Sequence, residues 1–118
     1  MKIRFIEYPS CTTCKRAKKW LTNNGHEFES QHIVDNTPTP KELTEWFKAS
    51  ELPLRRFFNT SGKIYRELNL KEKLLRLTEK EQIKLLASNG MLIKRPLLIA
   101  DNKVLVGFKE EEWETKLK

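Results

Sequence analysis

The chain has 118 residues, enough for one domain with its own core, and only two cysteines, which excludes a disulfide-stapled scaffold. No stretch approaches the ~20 apolar residues of a membrane span, and the opening Met-Lys-Ile-Arg-Phe carries no apolar leader, so a reducing cytoplasm is the expected setting. With 23 Lys+Arg against 16 Asp+Glu the net charge is +7, which suits nucleic acid, acidic protein surfaces or oxyanions without choosing among them.

Lys2 to Tyr8 is an extended segment in which Ile3, Phe5, Ile6 and Tyr8 put apolar side chains on both faces, the pattern of a buried central strand. Pro9-Ser10 turns the chain, and a helical period begins at or just after Cys11. Cys14, Ala17 and Leu21, flanked by Trp20, form its apolar stripe, Lys15, Arg16, Lys18 and Lys19 the other side, and Asn24-Gly25 a left-handed stop. Phe28 to Val34 reads as a second strand, completing a strand-helix-strand unit whose strands must run parallel.

After the polar connector Asp35–Pro40 the pattern becomes helical. Thr39-Pro40-Lys41-Glu42 is a capping box with proline at the first helical position, ahead of Leu43, Trp46 and Phe47. Thr78-Glu79-Lys80-Glu81 repeats the device ahead of Ile83, Leu86 and Ala87, and Asn89-Gly90 ends that helix. Leu54 to Leu77 reads as short helices, so residues from about 40 to 90 form a helical insertion. Its Arg55, Arg56, Lys63, Arg66, Lys71 and Lys73 are either a solvated face or a surface for an acidic partner. Leu97 to Ala100 and Val104 to Val106, separated by Asp101-Asn102-Lys103, read as a hairpin. A final helix carries Glu110, Glu111 and Glu112 in its first turn, Lys116 and Lys118 in its last, and Trp113 and Leu117 on its buried stripe. The three tryptophans are read as core. The order β-α-β, helical insert, β-β-α makes the fold class α/β, in a single domain over residues 1–118.

The chemistry concentrates in Ser10-Cys11-Thr12-Thr13-Cys14, a C-x-x-C pair at the start of a helix. Unpaired backbone N–H groups and the positive helix end favour a thiolate at Cys11, and the N–H groups of Thr12, Thr13 and Cys14 can cradle that charge. Cys14, one turn inward on the apolar stripe, is expected to be the buried thiol that resolves a mixed disulfide on Cys11. A zinc site formed with His26 and His32 is the competing account. Those histidines straddle an expected strand and so lie ~20 Å apart, too far to share one ion, so they are read as surface residues, with no metal and no cofactor expected.

With these residues in view, the chain resembles the arsenate-reductase-like (ArsC/Spx/MgsR) family of the thioredoxin-like superfamily over essentially its whole length. The likeness rests on Pro9–Lys15, on Phe58-Asn59-Thr60-Ser61-Gly62 followed by Tyr65-Arg66-Glu67-Leu68, and on Ile93-Lys94-Arg95-Pro96-Leu97 followed by Val106-Gly107-Phe108. The resemblance implies a thioredoxin-like fold with a helical subdomain inserted before the final hairpin, Arg95 facing the Cys11 thiolate, and Pro96 as a cis-proline beside the active site. Read alone, Arg95 is a surface arginine held extended by the following proline. Arsenate-reducing members place further arginines where this chain has Asn59 and Phe108, and neither replacement offers a forked, permanently charged donor.

The expected function is therefore a thiol-disulfide oxidoreductase with Cys11, Cys14 and Arg95 as its redox-active centre and Ser10, Thr12, Thr13 and Pro96 in support. Its expected partner is a protein or small-molecule thiol or disulfide. A second reading is a redox-sensing Spx-type regulator docking on the alpha subunit of RNA polymerase. The C-x-x-C and basic insert favour it, and the lack of an extended C-terminal tail weighs against it. A third is arsenate reduction coupled to glutaredoxin or thioredoxin. A monomer without sequence-specific DNA binding and without membrane contact is expected throughout.

Overall fold

β1 (Ile3–Glu7) is an inner strand with neighbours on both edges, and side chains on both of its faces are buried, Ile3 and Phe5 on one and Ile6 on the other. The computed structural model describes residues 2–117 and contains one four-stranded sheet in the order β2-β1-β3-β4, completed by β2 (Glu29–His32), β3 (Leu97–Ala100) and β4 (Lys103–Val106). β2 pairs parallel to β1, and β3 pairs antiparallel to both β1 and β4. With six helices interspersed along the chain among the described residues, this is the mixed α/β, thioredoxin-like arrangement.

The chain divides into two compact units, one made of the residues up to His32 together with those from Arg95 onward, the other of Ile33–Lys94. The first holds the whole sheet, α1 (Thr12–Asn23) and α6 (Glu110–Lys116). Ile3, Phe5, Leu98, Ala100 and Leu105 of the sheet pack against Ala17, Trp20 and Leu21 of α1 and Trp113 and Leu117 of the last helix and its cap. Trp113 meets the rings of Phe5, Trp20 and Phe108 edge-on, and its indole N–H donates to the Gly107 carbonyl at 3.2 Å, so its one polar group is satisfied inside the core. α1 stops as its sequence directs: Gly25 takes φ +73°, and the Gly25 and His26 N–H groups return to the carbonyls of Thr22 and Leu21.

The second unit is helical, with α2 (Pro40–Ser50), α3 (Lys63–Glu67), α4 (Leu70–Lys73) and α5 (Glu79–Ser88) joined by short 3-10 turns at Leu54–Phe57, Leu74–Arg76 and Gly90–Leu92. Both capping boxes form. Thr39 and Thr78 accept from the N–H groups of Glu42 and Glu81, whose carboxylates accept from the threonine N–H groups in return. Gly90 is needed where the chain passes the Ile33 carbonyl, because a Cβ there would collide with it. The six basic residues of the insertion named above are all exposed.

Several expectations shift. The second strand covers Glu29–His32 rather than Phe28 to Val34; it stops where its neighbour β1 ends, at Glu7 opposite His32, and the chain then turns. Lys103 belongs to β4, paired with Ala100, which shortens the hairpin turn to Asp101-Asn102, with Asp101 at φ +54°. His26 and His32 are half-buried rather than surface residues, since His26 stacks on Trp20 and His32 meets the edge of Tyr8. Lys118 lies outside the described residues. Among those described, no helix is long and apolar enough to cross a membrane.

Candidate active site

The site is built where β1 hands over to α1. The Cys11 N–H donates to the Tyr8 carbonyl at 2.9 Å, closing the turn through Pro9 and Ser10, and Cys11 becomes the N-cap of α1 with extended φ −76°, ψ 122°. Its Sγ takes the place of a capping hydroxyl, accepting the Cys14 N–H at 3.4 Å. Thr12 and Ser10 are exposed, Thr13 is half-buried, and Cys14 is buried on the same stripe as Ala17 and Leu21. Both thiols are free, and the side chains of the two cysteines lie within hydrogen-bonding reach of each other.

Electrostatically the two thiols are opposites. Burial is the largest single influence on Cys11 and works against ionisation. The hydrogen bonds from the Cys14 backbone, the Cys14 thiol and Arg95, together with the Arg95 charge, nevertheless hold Cys11 below the ordinary thiol value. Burial pushes Cys14 up to about 12, reinforced by hydrogen bonding to Cys11 and by the Cys11 charge, against the opposing pull of the Tyr8 backbone and Arg95.

Arg95 reaches the site through the sheet. β1 and β3 pair with Ile6 opposite Leu97, so the same register continued past the strand ends sets Arg95 across from Tyr8, and its guanidinium lies over the Tyr8 ring, 5.1 Å from the centroid. Its Nε and Nη1 are buried without a hydrogen-bond partner, which leaves them as donors for a negatively charged group. The Arg95–Pro96 peptide bond is cis, and the Pro96 carbonyl accepts the Gly107 N–H at 2.8 Å. Phe108, just past β4, packs edge-on to Trp113 at 4.8 Å and lies under the Arg16 guanidinium. Among the described residues no group of three or more His, Cys, Asp and Glu side chains is placed to hold a metal ion.

Two features escaped the sequence reading. Tyr8 supplies the ring beneath Arg95, and its only signal was its position at the strand end before the turn. Glu7 is buried and accepts from Lys18 Nζ at 3.0 Å, tying the end of β1 to the second turn of α1. Its strand parity, shared with Ile3 and Phe5, is the sequence feature that points to an inward-facing side chain.

The sequence matches the ArsC family over residues 6–116. It is 54% identical over 114 residues to the uncharacterized protein YusI of Bacillus subtilis, covering 97% of each chain. It is 30% identical over 111 residues to the regulatory protein MgsR of the same organism, covering 94% of this chain and 86% of MgsR. Among solved structures, an ArsC family related protein from Bacteroides fragilis superposes with a TM-score of 0.94 at 55% identity, over 98% of this chain and 97% of the other. The chain belongs to the ArsC family.

Proposed function

We propose that the protein is a thiol-disulfide oxidoreductase of the cytoplasm, acting as a monomer on a protein or small-molecule disulfide, with Cys11 as nucleophile, Cys14 as resolving thiol and Arg95 as the group that holds the thiolate. The observation that carries this reading is the opposition of the two thiols across one helical turn: Cys11 lowered at the N-cap, Cys14 buried and pushed up to about 12. The Cys11 thiolate attacks one sulfur of a substrate disulfide, forming a mixed disulfide and expelling the other sulfur as a thiolate, which takes a proton from water. Cys14 then loses its proton and attacks Cys11 Sγ, closing the Cys11–Cys14 disulfide and releasing the second substrate thiolate. Two electrons pass from the pair to the substrate.

The order of events follows from the same environment. Burial, the main obstacle to Cys14 ionisation, stays in place, but the Cys11 charge disappears once Cys11 is in a mixed disulfide, while the Arg95 charge remains. Cys14 therefore becomes easier to ionise at the step that needs it. Cys14→Ser tests the reading: incubated with an excess of a disulfide substrate, this variant should form one mixed disulfide on Cys11 and go no further, seen as a single adduct by mass spectrometry. A Cys14→Ser protein that stays unmodified, or is modified elsewhere, overturns it.

A second reading is favoured by the MgsR likeness, in which the same disulfide switches a transcriptional regulator that docks on RNA polymerase. It requires retention of the polymerase alpha subunit to change with the redox state of Cys11 and Cys14. Arsenate reduction is the weakest reading, because Asn59 and Phe108 offer no charged fork and the Phe108 ring is engaged by Trp113. Arsenate turnover should be weak or absent, and Asn59→Arg should improve it only modestly, a single fork leaving much of the oxyanion charge unneutralised. Efficient, saturable arsenate reduction by the unaltered protein would sink that expectation.

A further inference from the structure

The helical second unit carries a surface that the thiol chemistry does not use. Leu75, in the 3-10 turn Leu74–Arg76, is 87% exposed, and Leu68 is 39% exposed, whereas the large apolar residues around them in the chain are buried or half-buried. A groove of about 440 Å³ is lined by Leu68, Leu70, Lys73, Arg76, Leu77 and Leu85, within the ~300–1,000 Å³ typical of ligand clefts; Leu75 does not line it but sits in the turn that supplies its Arg76 wall. Its floor is aliphatic and its charged walls are both cationic. Exposed Lys71 adds a further positive charge in α4, so that Lys71, Lys73 and Arg76 stand against one carboxylate, Glu72, in residues 70–76.

We propose that this groove docks an acidic segment of a partner polypeptide, one that offers a bulky aliphatic or aromatic side chain to the leucine floor and flanking Asp or Glu side chains to Lys71, Lys73 and Arg76. Leu68 lines the groove and is exposed, Leu75 is exposed in the adjoining turn, and an apolar centre within a polar rim is the usual anatomy of such contacts. Nucleic acid fits less well, because no aromatic ring lines the groove to stack on a base. A bilayer surface fits less well too, since α4 and its following turn make no continuous amphipathic helix to lie in it. A second copy of the chain offers its acidic run at Glu110–Glu112, but Trp113 and Leu117 beside that run are buried and cannot serve as anchors.

The inference does not rest on the thiol reading, and Cys11→Ser should leave docking unchanged. The test is selection of a random-peptide display library on the whole reduced protein, with counter-selection on Leu75→Glu. Enriched peptides should combine Asp or Glu with Leu, Ile, Phe or Trp. A synthetic peptide of the enriched sequence should lose at least about tenfold in affinity on Leu75→Glu or on Lys73→Glu with Arg76→Glu, and bind more weakly as salt rises. Its binding should shift the NMR signals of Leu68, Leu75, Leu77 and Leu85. Leu75 is solvated, so Leu75→Glu should melt within a few degrees of the unaltered chain; Leu75→Ser is the second variant if it does not. The proposal is overturned if no peptide enriches, if the enriched peptides lack acidic residues or bind Leu75→Glu equally well, or if Leu75→Glu instead abolishes binding to a uridine oligonucleotide, to phosphatidylglycerol vesicles or to a second copy in sedimentation.

Discussion

Three helices in this protein begin with the same device, and one of them ends it differently. At α2 and α5 a threonine accepts the N–H three residues on, and a glutamate at that position reaches back to the threonine N–H, at 3.1 and 2.9 Å. The helix end is closed, and its negative charge is an inert carboxylate. At α1 the cap is Cys11 and the residue three positions on is Cys14, with no acidic side chain anywhere in the first turn. The same donor and the same helix end then act on a thiol, and the charge they favour sits on a nucleophile. The comparison shows how little has to change for a stabilising cap to become a reactive site: an oxygen becomes a sulfur, and the balancing carboxylate is removed.

The largest break in that comparison comes from restoring the oxygen. Cys11→Ser should keep the cap and the fold yet abolish reaction with disulfides and with iodoacetamide at neutral pH, because Cys14 stays buried, and burial is the largest influence raising it even with the Cys11 charge gone. Labelling of Cys14 in that variant at neutral pH would show that the two thiols are not divided as described.

Arg95→Ala probes what the first helix end has and the others lack. Cys11 lies below the ordinary thiol value partly through Arg95, so its alkylation midpoint should rise in the variant, and reactivity at a fixed pH below that midpoint should fall. The shift should be only partial, since the Cys14 hydrogen bonds remain. An unchanged midpoint would remove Arg95 from the site.

The smallest effect belongs to the closed ends. Thr78→Ala should cost ~1 kcal/mol in denaturant unfolding with no change in thiol reactivity. Its partner adds a pH signature. Hydrogen bonds to the Thr78 backbone and side chain lower the Glu81 carboxyl, so its contribution is present above the ordinary glutamate value and is lost as pH falls through the depressed folded value. Glu81→Gln should flatten that part of the acid-unfolding curve, and Cys11→Ser should leave it untouched.

What the sequence determined by itself was local. The Pro-Ser turn into C-x-x-C, both capping boxes, the Asn24-Gly25 stop and the helical stripes each depend on residues a few positions apart, where spacing and backbone preference already decide the geometry. Resemblance to known chains, rather than periodicity, singled out Arg95 and the cis-proline. Strand limits were less legible, because they depend on where a neighbour ends: β2 stops at His32 since β1 stops at Glu7. Only the tertiary structure decided the rest of the site. The antiparallel register of β1 and β3 sets Arg95 over Tyr8 and within reach of Cys11, and leaves its Nε and Nη1 buried without partners. Cys14 is buried, as its place on the apolar stripe of α1 suggested, and that burial raises it while its neighbour is lowered. A thiol's ionisation depends on solvent exclusion, which the helical stripe foreshadows, and on charges brought in from distant parts of the chain, which the residues on either side of it do not specify.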